Sequence, residues 1–362
     1  MIGLRKLDWY IIRKFLVTFF MALLLLAVII VIFDVSEKIE DFVRKDAPMK
    51  EIIVDYYLGF IPYFMNMYSP MFVFLTVIFF TSKMTQDSEI VAMLSSGISF
   101  HRLMVPYLVS AVLIMFMSMG LGMWVIPHQV GRKVDFEQKY IPRMKVKIGH
   151  DMHYKLENDH FVYLESFSVY NNTAYNFTLE DLSSGTLRSK ITAESAQYDT
   201  LTGRWKLRNW FIRDYDEGLG DHVRSGRQMD TVLSLTREDF FLNKYTITRL
   251  NEAELERLIK TQIQRGDASV NAALIEKNNR TAMPVSSIIL TIIAVSLCTK
   301  KKRGGMGWNL AAGTALGFSY ILFQQFSEMF VATDTLPASI AIWLPNYIYA
   351  IIAAVLYIKA PK

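Results

Sequence analysis

The sequence predicts an α-helical membrane protein with six transmembrane helices, three before and three after an inserted all-β domain of sandwich or jellyroll type. Three observations carry that fold class. Apolar residues gather in long charge-free blocks. The stretch between the third and fourth blocks alternates apolar with polar residues. Basic residues concentrate in alternate connecting segments. The chain has 362 residues, 52% hydrophobic and 20% charged, with a mean hydropathy of +0.23. Such blocks exclude an ordinary soluble enzyme and an intrinsically disordered chain. The net charge of +5 is small, so its placement says more than its sum. The single cysteine, Cys298, permits no disulfide framework.

The blocks free of Asp, Glu, Lys and Arg run Phe15–Phe33, Tyr56–Ser82, Leu103–His128, Thr281–Thr299, Gly304–Ser327 and Thr335–Ile358, 19 to 27 residues each. About 20 helical residues cross a hydrocarbon core of about 30 Å. In lipid only a helix or a closed barrel satisfies its own backbone, and these blocks lack barrel alternation. The first block exceeds a signal-peptide apolar region and is followed by Phe33, Asp34 and Val35 rather than a small-residue cleavage site, so it is expected to stay.

Orientation follows from the short connections. Arg5, Lys6, Arg13, Lys14, Lys83, Arg102, Lys300, Lys301, Lys302, Arg303, Lys359 and Lys362 lie on one side, against three acidic residues, Asp8, Asp87 and Glu89. The opposite short segments hold four basic residues, Lys38, Arg44, Lys45 and Lys50. Positive charge stays inside, so both termini are expected in the cytoplasm and the insert outside.

Within the insert, 160–165, 174–179 and 204–212 alternate as strands. Asn171-Asn172, Ser183-Ser184-Gly185 and Asp199–Gly203 are turn signals. Asn251 to Gln264 reads as a helix, with Asn251 as cap, Leu255, Leu258 and Ile259 on one face and Gly266 as stop. The expected division is 1–128 for spans one to three, 129–270 for the β domain with its connecting helix, and 271–362 for spans four to six.

No P-loop, zinc-protease or nucleophile-elbow motif is present. The chain is expected to bind no cofactor, metal or nucleic acid and to catalyse no covalent step. His150, His153 and His160 form the one histidine cluster; without a carboxylate or cysteine completing a pattern, a polar strand face explains them better than a metal.

Four features are candidates for function. Residues 85–97 form an amphipathic cytoplasmic helix in which Thr85 or Asp87 caps, Asp87 and Glu89 suit the positive end of the dipole, and Ile90, Met93 and Leu94 make an apolar face. It can dock in a groove of a soluble partner or merely join two spans. Gly313 and Gly317, four apart in span five, allow close helix approach, to a partner or within one bundle. Lys38, Arg44, Lys45, Arg132 and Lys133 at the outer boundary suit an anionic head group; Asp34, Glu37, Glu40, Asp41 and Asp46 can neutralise them instead. Glu328, near the outer end of span five, is either functional or simply solvated. Pro62 and Pro70 are expected to kink span two.

The chain resembles the LptF/LptG permease family, which exports lipopolysaccharide. The resemblance rests on Leu7-Asp8-Trp9-Tyr10-Ile11-Ile12, the loop Ser88 to Gly97, Asp159 to Glu165, and Trp343-Leu344-Pro345-Asn346, within a three-plus-three arrangement around a β insert. It implies a periplasmic β-jellyroll, pairing with a second permease (a copy or a paralogue), and gates made by the first and fifth spans. It also implies a cytoplasmic ATPase dimer, met by the loop helix with Glu89 facing a basic residue, and a periplasmic β-jellyroll bridge that receives the lipid from the inner membrane. The opening tract resembles the G member more than the F member. Where relatives place a basic lipid-contacting residue this sequence has Val31, Ile32 and Phe33, and Lys38 is the nearest substitute. A different class of function, a mechanotransmission subunit that moves a periplasmic domain without carrying lipid, predicts a closed bundle and a filled insert.

Overall fold

The computed structural model describes residues 6–141, 150–156, 159–168, 171–182, 185–215, 221–233, 235, 244–267, 269–299 and 305–360, with the backbone alone at 150, 244, 305 and 306. The expectations resting on Arg5, Ser183, Ser184, Lys300, Lys301, Lys302, Arg303, Gly304, Lys362 and the His150 side chain lie outside the described residues. The chain divides into two compact units: Met1–Ile141 with Thr248–Glu252 and Leu274–Lys362, and Pro142–Ile247 with Ala253–Ala273.

The first unit is helical. Helix α1 spans Lys6–Arg44. It outruns its apolar block at both ends because nothing breaks it until Asp46, at φ 49°, and Pro48. Helix α2 runs Met49–Gln86, with a π-helical turn at Ile52–Tyr57 near its start. It stays helical through Pro62 and Pro70. Ser88, at φ 63°, turns the chain into the short α3, Glu89–Ser95, and Gly97, at φ 88°, ends it. Thr85 belongs to α2, where its Oγ1 donates to the Thr81 and Cys298 carbonyls, and Asp87 closes that helix. The expected helix over 85–97 is therefore shorter, and neither expected residue caps it. Helix α4, Phe100–Tyr140, starts at Ser99, whose Oγ accepts from the Arg102 amide at 3.3 Å, and contains a second π turn at Leu121–Val125.

After the β unit come α5 (Lys244–Thr248), α6 (Glu252–Arg265), α7 (Val270–Cys298), α8 (Gly305–Ala332) and α9 (Ala338–Ile358). Among the described residues, α1, α2, α4, α7 and α9 are long and apolar enough to cross a membrane. Helix α8 has the length, at 28 residues, but Asn309, Gln324, Gln325 and Glu328 lower its apolar character. The core of this unit joins Phe15 and Phe19 of α1, Phe74 and Ile78 of α2, Tyr107 of α4, Leu290 and Ile293 of α7 and Tyr349 of α9.

The second unit combines most of α6 with an antiparallel sheet of six strands in the order β1-β2-β3-β4-β5-β6: His150–Lys155, His160–Ser168, Thr173–Asp181, Ser189–Asp199, Arg204–Asp214 and His222–Thr231. Every described strand pairs with its sequence neighbours, a meander; the crossover pairing of a jellyroll is not found among the described residues. The three segments read as strands from their alternation fall inside β2, β3 and β5.

The alternation slips once in each central strand, and the slips are in register. Buried positions are Val162 and Leu164, then Phe167, on β2; Trp205 and Leu207, then Ile212, on β5. The pairing is interrupted at Asp151, Glu165, Asn176, Glu194 and Asn209, which continue one another across the ladder. Asp151, Asn176 and Asn209 take left-handed backbone, at φ 53°, 48° and 50°. One extra residue per strand shifts the pleat by one and keeps the same face apolar on both sides. The result is a crease across the sheet. The apolar face carries Val162, Leu164, Phe177 and Trp205, and the Trp205 indole N–H donates to the Leu235 carbonyl at 3.0 Å.

Candidate functional site

The residues singled out by sequence fall into three places on the helical unit. The first is the N-terminal end of α1 with the α3 segment. Ile90 is fully buried in the bundle core, and Met93 and Leu94 pack against it. The apolar face expected to enter a partner's groove is thus occupied by the chain itself. What α3 leaves exposed is Val91, Ala92 and Ser95, with Asp87, Ser88 and Ser96 exposed beside it. An apolar face beside a bundle is driven onto that bundle first, because burial there needs no second molecule.

Glu89 lies at the edge of this surface. Its Oε2 accepts from the Tyr10 hydroxyl at 3.1 Å, and its Oε1 is 3.7 Å from Lys14 Nζ. Lys14 Nζ also donates to the Tyr10 hydroxyl at 2.9 Å. Beyond α3, Arg102 at the start of α4 makes a two-pronged bond to Asp8, 2.8 Å to Oδ1 and 2.5 Å to Oδ2. Asp8 is buried, and a planar guanidinium matches a carboxylate in this geometry.

The second place is the C-terminal end of α1. Asp34, buried, accepts from Lys38 Nζ at 2.6 Å, from the Tyr56 hydroxyl at 2.9 Å and from the Tyr57 hydroxyl at 3.1 Å. Lys38 also donates to the Tyr56 hydroxyl. Tyr56 and Tyr57 are the last two residues of the π turn Ile52–Tyr57, and both reach Asp34. Lys133 of α4 is buried and sits 3.1 Å from buried Glu137. Its ammonium lies 5.8 Å from the Tyr56 ring centre, and that of Lys38 lies 4.9 Å away. Two lysines and two carboxylates so balance one another in a desolvated cluster. Arg44 is 3.6 Å from Asp41. Of the five basic candidates, Lys38, Lys133 and Arg44 are matched to acids; Lys45 and Arg132 are exposed.

The third place is α8. Gly313 and Gly317 face α2 of the same chain: a Cβ at Gly313 would overlap Ile78 Cδ1, and one at Gly317 would come 3.1 Å from Phe74 Cδ1. The contact these glycines make here is internal. Farther along, Glu328 accepts from Asn279 Nδ2 at 2.8 Å, and Gln324 Nε2 donates to Asn279 Oδ1 at 3.0 Å.

Charge-free blocks do not point to Arg280, which stands one residue before Thr281–Thr299. Its buried guanidinium is 3.1 Å from Glu276 and 3.4 Å from Glu252, and donates to the Leu250 carbonyl at 2.8 Å. The signal available was the lone arginine followed by an apolar run. In the β unit the His153 ring packs on Tyr163, and His160 Nε2 is 3.9 Å from Asp181. Among the described residues no three metal-ligating side chains converge.

Long apolar helices, a buried charge cluster at one end of α1, and a loop helix whose apolar side is covered by the bundle are what the described residues of the helical unit bring together. A family model described as lipopolysaccharide export system permease LptF/LptG matches residues 9–359. No curated protein matches the chain.

Proposed function

Since the chain belongs to the lipopolysaccharide export permease LptF/LptG family, we propose that it is the permease subunit of an ABC-type transporter, extracting lipopolysaccharide from the inner membrane and passing it to a periplasmic β-jellyroll bridge. The observation that carries this is the family match, which takes in both the helical unit and the β unit. The chain crosses the membrane six times, with α8 as the fifth span; its Gln324 and Glu328 have Asn279 as partner, which lowers the cost of placing them in lipid. Residues 1–128 and 271–362 carry the spans, 129–270 form the β domain with its connecting helix, of the jellyroll type that the family resemblance implies, and the segment 129–280 is periplasmic. Both termini lie in the cytoplasm by the basic bias. The opening tract Leu7–Ile12 favours the G-type member.

Energy comes from a separate cytoplasmic ATPase dimer, since the sequence has no phosphate-binding loop. Asp87 and Glu89, with Val91, Ala92 and Ser95 beside them, meet that motor. A second permease completes the cavity; the bare apolar sides of α1 (Phe20, Leu24, Val28) and α8 (Phe318, Leu322, Phe326) suit a wall that faces acyl chains and a like neighbour. Arg132 and Lys45, exposed, are the first candidates for the phosphorylated head group, ahead of Lys38, Arg44 and Lys133.

Purification in mild detergent with identification of bound protein and lipid tests the reading. An ATPase, a second permease and lipopolysaccharide are expected to co-purify. Glu89→Arg is expected to release the ATPase while the subunit stays folded. Co-purification of none of the three from wild type would refute the assignment.

A further inference from the structure

The α3 segment is fastened to α1 on both of its flanks. At its first residue, Glu89 holds Tyr10 at 3.1 Å and Lys14 at 3.7 Å; after it, Arg102 grips Asp8 through both carboxylate oxygens. These links join residues 79 and 94 positions apart in sequence. Stability alone does not account for the Glu89 links. Lys14 and Glu89 are a quarter to a third exposed, and exposed pairs contribute only about 0–1 kcal/mol. Their geometry is what matters, since together with the Asp8 fork they fix the first turns of α1 and the α3 segment as one body.

The rest of α1 is held differently. Only 17% of its apolar window is buried, and Met21, Leu24, Leu25, Ile32 and Phe33 are mostly exposed. At its far end it is pinned again, by Asp34, Lys38, Tyr56 and Tyr57. The helix is continuous over its 39 residues. Between these ends one stripe of α1, with Phe15, Phe19 and Leu23, sits in the core while its other sides are bare, and a rigid continuous helix tied at both ends carries displacement along its length.

We propose that Asp8, Tyr10, Lys14 and Arg102 are positioning residues that transmit force from the α3 segment to α1, so that the first span follows the loop helix. The inference rests on the motor-driven permease reading and adds the path by which the stroke enters the membrane part. Glu89 then has two contacts to make, one to the motor and one to α1.

The test uses the full transporter purified with its ATPase and reconstituted with lipopolysaccharide. Tyr10→Phe with Lys14→Gln removes the α1 side of the Glu89 link at partly exposed positions, leaving Glu89 intact. The variant is expected to co-purify the ATPase in wild-type amount, to hydrolyse ATP at the wild-type basal rate, and to release roughly tenfold less lipid per ATP. Lys14→Arg, which keeps the cation, is expected to restore that yield in the Tyr10 background. Unchanged lipid released per ATP would overturn the proposal. So would loss of the ATPase from the double variant, which would make Tyr10 and Lys14 part of docking. Because the wild type is carried in parallel, failure of the wild type itself to hold an ATPase would be seen separately and would sink the permease reading as well. Asp8→Asn and Arg102→Gln provide the independent check, with the same fall in yield expected.

Discussion

At Gly313 the α8 backbone lies against Ile78 of α2, and a Cβ would overlap Ile78 Cδ1. Overfilling a packed core typically costs about 1–3 kcal/mol. Gly313→Leu is therefore expected to lower the apparent melting temperature of the detergent-purified subunit, whether or not a second permease is bound; an unchanged melting temperature would return this face to an intermolecular role. Asp199 is a second residue whose environment can be read. Its carboxylate accepts from Lys206 Nζ at 2.8 Å and from the Leu201 amide at 2.9 Å, closing the β4–β5 turn. The lysine first, then the turn amides, hold its pKa down to about 2. A depressed carboxylate stabilises the fold above its unfolded value of about 3.9 and stops doing so as pH falls through the folded value. The turn is thus expected to keep its charge at any pH well above 2. A carbon-detected NMR titration should place the Asp199 midpoint near 2, and Lys206→Met should raise it; a midpoint near 4 in the wild type would disprove the link.

Two elements owe their shape to local backbone rather than to pattern. The crease across the sheet needs left-handed residues at Asn176 and Asn209. Asparagine reaches that region easily, and a β-branched residue does not. Asn209→Val is expected to cost about 1–3 kcal/mol and Asn209→Gly close to nothing. Denaturant unfolding followed by the fluorescence of Trp205 and Trp210, which flank it on β5, measures both. Equal stability of the valine and glycine variants would remove the argument. The crease was present in the sequence as a skipped beat, Trp205 and Leu207 followed by Trp210 and Ile212, but one strand's skip is indistinguishable from a polar interruption; only the register of several strands makes it a line. In the helical unit, Gly59 allows α2 to approach α4 so closely that a Cβ would stand 2.5 Å from the Gln129 carbonyl oxygen. Neither helix can yield backbone there, so Gly59→Ala is expected to displace the two helices and weaken the Asp34 cluster that Tyr56 and Tyr57 complete. The α3 helix teaches the complementary lesson. Its amphipathic pattern was legible, yet the side it turns to the bundle was not, because periodicity names a face without naming what covers it.

Orientation is a property of the whole molecule, predicted by the basic bias of its short connections. Cys298 is the single cysteine and is buried, so Cys298→Ser gives a clean background for labelling. A membrane-impermeant thiol reagent applied to intact cells with a permeabilised outer membrane is expected to label Leu201→Cys, which is 95% exposed at a hairpin tip, and to miss Asp87→Cys until the inner membrane is opened. The reverse pattern would invert the topology. Charge-free blocks located the apolar helices because lipid tolerates few charges whatever the neighbours do. They did not locate the ends of α1, which continues eleven residues past Phe33, because helix propensity outside the membrane follows local breakers and not hydropathy. The order of residues along the chain, charge-free blocks on either side of an alternating stretch, determined by itself that this chain has membrane-spanning helices and a β insert. Which lysines are spent on internal acids, which face of α3 is free, and which helix Gly313 touches were decided by tertiary structure, because each depends on side chains brought together from distant parts of the chain, and no local pattern encodes that distance.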